Sequence, residues 1–114
     1  MDKVALVTGG AHGIGLACAV HLARQGWRIV IADRDAPPDG IKARHAAIDV
    51  AGEAQVAALA ESIALQEGRL DALISNAGFM IRKPIAQLTL DDWNSVIGTN
   101  LTATFLLVLS LIHI

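Results

Sequence analysis

Residues 8–15 read Thr8-Gly9-Gly10-Ala11-His12-Gly13-Ile14-Gly15, a glycine-rich segment that separates two apolar stretches. Residues 4–7 precede it as a short apolar run, which is typical of a buried parallel strand. Residues 13–25 follow with apolar side chains at helical spacing, and Gly26 predicts the end of that helix. Glycines at a strand-to-helix junction let the backbone approach a bound group closely, and the helix start favours an anion such as pyrophosphate. The segment therefore predicts a phosphate-binding turn, although many tight turns also contain glycines.

An acidic residue stands where a dinucleotide-binding fold needs one. Residues 28–32 have the pattern of a second buried strand, and Asp33 follows them, about twenty residues after Gly13. A carboxylate at this position accepts hydrogen bonds from the hydroxyls of an adenosine ribose and repels a 2′-phosphate. Asp33 therefore indicates NAD rather than NADP; the alternative is an ordinary solvated carboxylate in a loop.

The remaining chain alternates predicted strands and helices. Strand character is weaker over residues 43–48 and clear over 70–75, whereas residues 34–42 show no helical pattern. An amphipathic helix is predicted over 53–67, and a further helix opens at Thr89. This β-α-β-β-α-β-α order predicts an α/β fold, a partial Rossmann domain whose parallel strands lie in the order 3-2-1-4.

Helical spacing also predicts which side chains face inward. In the first helix they are Ile14, Ala17, Cys18 and Leu22. In the second they are Val56, Leu59 and Ile63, while the outward side chains are Glu53, Glu61 and Glu67. In the third they are Trp93, Val96, Ile97, Asn100, Leu101 and Thr104. Thr89 and Asp92 form a pair similar to a capping box at the start of this third helix, with Asp in place of the usual Glu.

Asn100 is an amide on an apolar stripe that is predicted to face inward. A buried amide without partners costs roughly 1–3 kcal/mol, so its side chain is expected to form hydrogen bonds. It either satisfies nearby backbone groups or takes part in chemistry, and the two roles can coexist.

The spacing Thr-Gly-x-x-x-Gly-x-Gly of residues 8–15 resembles the short-chain dehydrogenase/reductase family. Asp49-Val50 resembles the adenine-pocket pair of that family, and Ser75-Asn76-Ala77-Gly78 is similar to its Asn-Asn-Ala-Gly motif, with Ser75 replacing the first Asn. Trp93 and the segment Asn100-Leu101-Thr102 resemble the helix that carries one catalytic residue, the Asn. The resemblance extends from residue 3 to about residue 108, and its motifs occur in the family's order.

The resemblance implies an NAD(P)-dependent oxidoreductase that transfers a hydride between a nicotinamide cofactor and a small alcohol or carbonyl substrate. The cofactor-binding residues it implies are Thr8, Gly9, Gly10, His12, Gly13, Ile14, Gly15, Asp33, Asp49, Val50, Asn76, Ala77 and Gly78. Asn100 is the implied catalytic residue, which holds a water in a proton relay. Relatives with a basic residue at the position of His12 often prefer NADP, which weakens the indication of NAD from Asp33.

Each implied role has a plainer alternative. Asp49 would accept from the adenine amino group, or it would only support the start of the next helix. Asn76 and Gly78 follow a strand, where open α/β sheets bind ligands, or they form an ordinary turn. The family's chemistry also needs a Ser and a Tyr-x-x-x-Lys downstream, and the chain contains no Tyr. The chain itself is therefore expected to be inactive, as a part of a longer, homo-oligomeric parent. The alternative is a dinucleotide-binding regulator without chemistry.

Composition excludes several other classes. The 114 residues are enough for one small domain, and 54% are hydrophobic, which predicts a packed core. A net charge of -2 without a basic stripe argues against nucleic-acid binding. Cys18 is the only cysteine, which fits a reducing, cytoplasmic compartment and a packing role for its thiol. His21, His45 and His113 show no ligand spacing with a cysteine or an acidic cluster, so no metal site is expected.

The last part of the chain is unusually apolar. Residues 96–114 approach the length of a membrane span, but Asn100 and several hydroxyl side chains interrupt them, so a buried helix is expected rather than a membrane anchor. Residues 109–114 read LSLIHI, which CTG TCT CTT ATA CAC ATC encodes, and this resembles a transposase mosaic-end adapter. The expected division is therefore a cofactor-binding part over 1–108 and a non-native tail over 109–114. The alternative is a genuine apolar helix end, and sequencing the genomic locus distinguishes the two.

Overall fold

A computed structural model describes residues 2–114. Its four strands are β1 (Val4–Thr8), β2 (Arg28–Ala32), β3 (Arg44–Ala46) and β4 (Ala72–Ser75). All pairings are parallel, and the strands lie in the order β3-β2-β1-β4. This confirms the predicted α/β fold and strand order. β3 and β4 are shorter than the sequence pattern indicated, since both lie at the edges of the sheet, where pairing is available on one side only.

Four α-helices surround the sheet: α1 (Gly13–Arg24), α2 (Glu53–Gln66), α3 (Leu90–Ile97) and α4 (Ala103–Leu111). A π-helical segment, Gly98–Thr102, joins α3 to α4, and a 3₁₀ turn covers Ile85–Gln87. The connection between β2 and β3 contains no helix, as the sequence predicted.

The core has one layer on each face of the sheet. On one face, Leu6 and Val30 pack with side chains of α2 and α4. On the other face, Val7 and Ile31 pack around Ala19 of α1. Every residue of β1 is buried because its two neighbouring strands and both helical layers cover it, which explains its continuous apolar sequence.

The predicted inward face of α1 is confirmed for Leu22, which packs against the core, and wrong for Ile14 and Ala17. Gly15 and Ala19 are the buried residues of this helix, whereas Ile14 is 77% exposed and Ala17 is exposed. Cys18 is half-buried. The buried side of α1 consists of small residues, because the helix approaches the sheet closely at Gly15 and begins next to the ends of the strands.

The prediction for α2 is confirmed on its inward side and wrong for one outward residue. Val56, Leu59 and Ile63 are buried, but Glu67, just after the helix, is 8% exposed. Its carboxylate accepts hydrogen bonds from Arg44 of β3, at 2.7 Å from Nη2 and 3.0 Å from Nε. An ion pair with good geometry allows a charge to be buried at this position.

The predicted stripe of the third helix does not continue along its length. Trp93 and Leu101 are more than 60% exposed, and the buried side chains are instead Ala103, Leu107 and Leu111, which pack towards α2. A π-helical turn contains more residues than an α-helical turn. The π segment Gly98–Thr102 therefore changes which side of α4 faces the core. Leu90–Leu111 is long and apolar enough to cross a membrane by length and composition alone, which is weak evidence, and only 17% of its most apolar window is buried. The expectation of a buried helix is therefore wrong for most of this segment.

Candidate functional site

A cleft of about 420 Å³ lies at the carboxyl ends of the four strands. Each strand contributes the residues that directly follow it, because parallel strands end at the same edge of the sheet. The lining residues are Gly9, His12, Gly13, Ile14, Ala32, Asp33, Arg34, Ile48, Asp49, Val50, Asn76, Ala77, Gly78, Phe79 and Thr99. Most of the predicted cofactor residues therefore lie in one cleft.

Thr8, Gly10 and Gly15 lie behind the cleft and shape it. Gly10 packs against Ile31, where an added Cβ would lie 3.0 Å from a side-chain carbon. Gly15 faces the Gly9 carbonyl so closely that any Cβ would overlap with its oxygen. Gly9 has a φ of 66°, and a Cβ added to it would lie 2.9 Å from the Cα of Ala77 at the same corner. Glycine is required at positions 9 and 15 because two backbone segments meet there without space for side chains.

Thr8 and Asn76 connect the glycine-rich turn to the end of β4. The Thr8 hydroxyl accepts hydrogen bonds from the backbone amides of Asn76 and Ala77, both at 3.0 Å. The Asn76 amide donates to the carbonyl oxygens of Thr8 and Gly9, both at 3.2 Å. These bonds hold the walls of the cleft at a constant separation.

Asp33 joins the end of β2 to the same turn. One carboxylate oxygen accepts from the Ala11 amide at 3.1 Å, and the other accepts from the Asp35 amide at 2.9 Å. These bonds orient the carboxylate where it lines the cleft. Each oxygen retains acceptor capacity, so the group can still bind a ribose hydroxyl.

Asp49 and Val50 form the far end of the cleft. Asp49 accepts from the Ala51 amide at 3.0 Å, and its carboxylate lies 4.0 Å from the Arg34 guanidinium. It thus supports the chain just before α2, as the plainer alternative stated, while it also lines the cleft. Val50 is 5% exposed and belongs to the core beneath the cleft.

The structure corrects the expected burial of Asn100. Its side chain is exposed, yet it pairs fully with the backbone of Phe79. Oδ1 accepts from the Phe79 amide at 3.0 Å, and Nδ2 donates to the Phe79 carbonyl at 2.9 Å. Gly78 makes room for this pairing, because a Cβ at that position would lie 3.0 Å from Oδ1. Asn100 therefore satisfies nearby backbone, one of the two roles expected for it.

The residues of the cleft fit a dinucleotide. α1 points its N-terminus at the cleft, its N-cap His12 forms no side-chain capping bond, and no acidic residue occupies its first turn. The first amides of the helix are therefore directed at a position suited to a phosphate group. Gly13, with a φ of 54°, has no atom within 4 Å of an added Cβ, which leaves space above the turn.

The same end of the cleft contains a group of possible metal ligands. His12, Asp33 and Asp35 bring donor atoms within 4.8 Å of one another. The carboxylate of Asp33 already accepts two backbone amides, and His12 Nε2 contacts Asp35 at 2.9 Å. A metal ion bound through His12 Nε2 would have to displace its contact with Asp35.

Several lining residues were not identified from the sequence as cofactor residues. They are Ala32, Arg34, Ile48, Phe79 and Thr99. Each stands next to a residue that was identified, so adjacency along the chain was the available signal. Thr99 was harder to find, because its position depends on the π turn.

Known proteins share this sequence and fold. The family model described as short chain dehydrogenase matches residues 3–114. The D-threitol dehydrogenase of Mycolicibacterium smegmatis is 41% identical over 117 residues, which cover 92% of this chain and 44% of that protein. The chain therefore spans less than half the length of this relative.

Solved structures agree. The aldohexose dehydrogenase of Thermoplasma acidophilum superposes with a TM-score of 0.93 at 28% identity, over 98% of this chain and 44% of that one. A gluconate 5-dehydrogenase from Burkholderia cenocepacia in complex with NADP and tartrate has a TM-score of 0.85 at 34% identity, over 99% and 49%. A short-chain dehydrogenase from Leptospira borgpetersenii with bound NAD+ has a TM-score of 0.91 at 25% identity, over 99% and 46%. Sequence, strand order and the position of the cleft lead to one conclusion: this chain belongs to the short-chain dehydrogenase family.

Proposed function

We propose that this chain is the cofactor-binding part of a longer parent protein, an NAD(P)-dependent oxidoreductase that interconverts an alcohol and a carbonyl compound. The observation that carries the proposal is the single cleft in which the turn after β1, Asp33, Asp49 and the residues after β4 meet. When bound, the nicotinamide cofactor supplies or accepts the hydride.

The residues of this chain bind and orient the cofactor. The amides at the start of α1 hold the phosphates, and Asp33 accepts from the adenosine ribose. Asn76 keeps the Gly9 turn at a constant distance from β4, and Gly78 keeps the backbone low beside Phe79. Asn100 fixes the backbone at Phe79, and we propose that in the parent it also holds the relay water.

We further propose that the parent prefers NAD to NADP, because the Asp33 carboxylate repels a 2′-phosphate. Relatives with NADP and with NAD+ both occur among the solved structures. Titrating the full-length parent with each nucleotide and following protein fluorescence tests the preference. Tighter binding of NADP would contradict it, and no binding of either nucleotide would contradict the proposed function.

Catalysis requires a proton donor beside the bound carbonyl, and the chain contains no Tyr. We propose that the parent supplies a Ser and a Tyr-x-x-x-Lys beyond this segment. An assay of the parent should begin with polyols and sugar acids, since relatives named for threitol, aldohexose and gluconate match this chain. Nucleotide binding without turnover of any alcohol, in a parent that lacks those residues, would instead indicate a regulator.

A further inference from the structure

A second cavity, of about 480 Å³, lies at the end of the sheet opposite to the cofactor cleft. Arg28 and Arg44 line it and are the first residues of β2 and β3, so the cavity opens at the amino ends of strands whose carboxyl ends form the cleft. The described residues that line it include three cations and two carboxylates, and none of them lines the cleft. Its other lining residues are Asp2, Ala23, Gly26, Trp27, Ile29, Ile41, Lys42, Ala43 and Glu67.

One wall of this cavity is apolar. Ile29 is buried, and the half-buried side chains of Trp27, Ile41 and Ala43 pack against the same core layer. The connection between β2 and β3 contains no helix that could cover these side chains, which leaves them accessible in the cavity. Lys3 Nζ lies 5.5 Å from the centroid of the Trp27 ring, and this cation–π contact helps to hold the indole in place.

The charged side chains of the cavity are unequally satisfied. The Glu67 side chain is 7% exposed, and Arg44 donates to both of its carboxylate oxygens and to Ser62. Arg28 lies 4.0 Å from Glu67, beyond hydrogen-bonding distance, and its side chain is 43% exposed. Lys42 is exposed and forms no ion pair with any residue that the structure describes. Arg44 therefore satisfies the buried carboxylate, while Arg28 and Lys42 retain donors for another acceptor.

We propose that this cavity is a second binding site, which takes a small carboxylate with an apolar body. Arg28 and Lys42 donate to the carboxylate, and the apolar wall receives the rest of the ligand, a combination that is typical of small-molecule sites. A cationic ligand fits less well, because the buried carboxylate of Glu67 already has its partner. The site lies outside the cofactor cleft and does not depend on the proposed function.

The test titrates the full-length parent, labelled with ¹⁵N at its tryptophan indoles, with benzoate, benzamide and acetate. Saturating NAD+ keeps the cofactor cleft occupied, and Trp27→Phe assigns the resonance of Trp27. Benzoate should shift this resonance saturably. Benzamide lacks the charge and acetate lacks the ring, so each should bind about tenfold more weakly or less. A parent that binds no NAD+ would contradict the proposed function, while the benzoate titration would still decide the present inference.

Substitutions then locate the carboxylate. Arg28→Gln should weaken benzoate binding about fivefold to tenfold and leave benzamide unchanged, whereas Arg28→Lys should retain most of the affinity for benzoate. Arg82→Gln removes an exposed cation from the loop after β4 and is the matched control. If Arg28→Gln melts at a lower temperature than the wild type, Lys42→Gln at its exposed position serves as the same test. The absence of a saturable shift, equal affinities for benzoate and benzamide, or equal effects of the cavity and control substitutions would overturn the proposal.

Discussion

At the residue scale, single atoms decide the shape of the cleft. The Gly9 carbonyl, the Asn76 amide and the missing side chain of Gly15 occupy one crowded corner. The corner tolerates no added carbon, because both segments are held by hydrogen bonds to Thr8 and Asn76. The start of α1 and the end of β4 are thereby fixed relative to each other.

A methyl group at this corner should destroy the site. Gly15→Ala would place Cβ 2.5 Å from Asn76 Nδ2 and in overlap with the Gly9 carbonyl, so α1 must move away. We expect loss of nucleotide binding by the full-length parent and a lower melting temperature. Gly98→Ala is the matched control: it has open space and a helical φ of -58°, and it should stabilise by about 0.5–1 kcal/mol. Equal nucleotide affinity in both variants would contradict this account.

A second residue-scale prediction concerns acid stability. Hydrogen bonds from Arg69 and from the Val4 amide lower the pKa of Asp71 from 3.8 to about 2. Because this folded-state pKa lies below the unfolded value, the carboxylate stabilises the fold above about pH 4, and the contribution is lost as the pH falls towards about 2. In the full-length parent, Asp71→Asn should lower the melting temperature at neutral pH and flatten its decline in that acidic window, as followed by circular dichroism. The exposed Asp39→Asn should keep the wild-type decline, and an unchanged slope in Asp71→Asn would disprove the role.

At the element scale, side-chain pairs fix how helices meet the sheet. Thr89 and Asp92 form a complete capping box at the start of α3, and Lys83 pairs with Asp92 at 2.8 Å. The Ser75 hydroxyl lies 2.8 Å from that of Thr104, which ties α4 to the end of β4. Ser75, which replaces the first Asn of the family's motif, thus contacts α4.

The pair that joins β3 to α2 should be important for stability. Glu67 is almost fully buried, and Arg44 supplies hydrogen bonds to both of its carboxylate oxygens. Arg44→Ala leaves that buried charge without its main partner, and we expect a loss of about 3 kcal/mol in the free energy of unfolding of the parent. Denaturant titration checks this, with the exposed Arg24→Ala expected to change little. Equal effects of the two substitutions would show that the buried pair contributes nothing.

At the scale of the whole molecule, the chain is less compact than a complete domain. Its radius of gyration is 14.7 Å, against about 13–14 Å for a compact domain of similar length. Large apolar side chains are exposed along α3 and α4, among them Trp93, Leu101, Phe105 and Ile112. β4 is an edge strand, and an apolar groove lies between it and α4.

These surfaces predict the behaviour of the 114-residue chain when it is expressed alone. Exposed apolar side chains and an unpaired edge promote aggregation, and a small domain has only a few kcal/mol of stability to lose. We expect an insoluble or molten protein without cofactor-dependent turnover of alcohols. Size-exclusion chromatography, thermal melting and NADH formation test this. A soluble monomer that melts cooperatively, or measurable NADH formation, would refute the prediction.

Many features of this structure could be predicted from the sequence, because they depend on residues that are close together along the chain. The glycine-rich turn, the alternation of apolar runs and helical patterns, and the capping pair at Thr89 each depend on neighbouring residues. They predicted a parallel sheet with helices on its faces, and the resemblance to the short-chain dehydrogenase/reductase family added the strand order and most of the residues that line the cleft. Asp33 and Asn76 were recognisable because the ends of parallel strands must meet at one edge of the sheet.

Contacts between residues distant along the chain determined the features that the sequence did not predict. The inward face of α1 follows from the close approach at Gly15, and the burial of Glu67 follows from Arg44, a residue distant along the chain. The π turn at Gly98–Thr102 shifted the buried face of the last helix and brought Thr99 into the cleft. Periodicity assumes a regular helix and charge patterns assume a solvated surface, so neither can anticipate a change that a distant segment imposes.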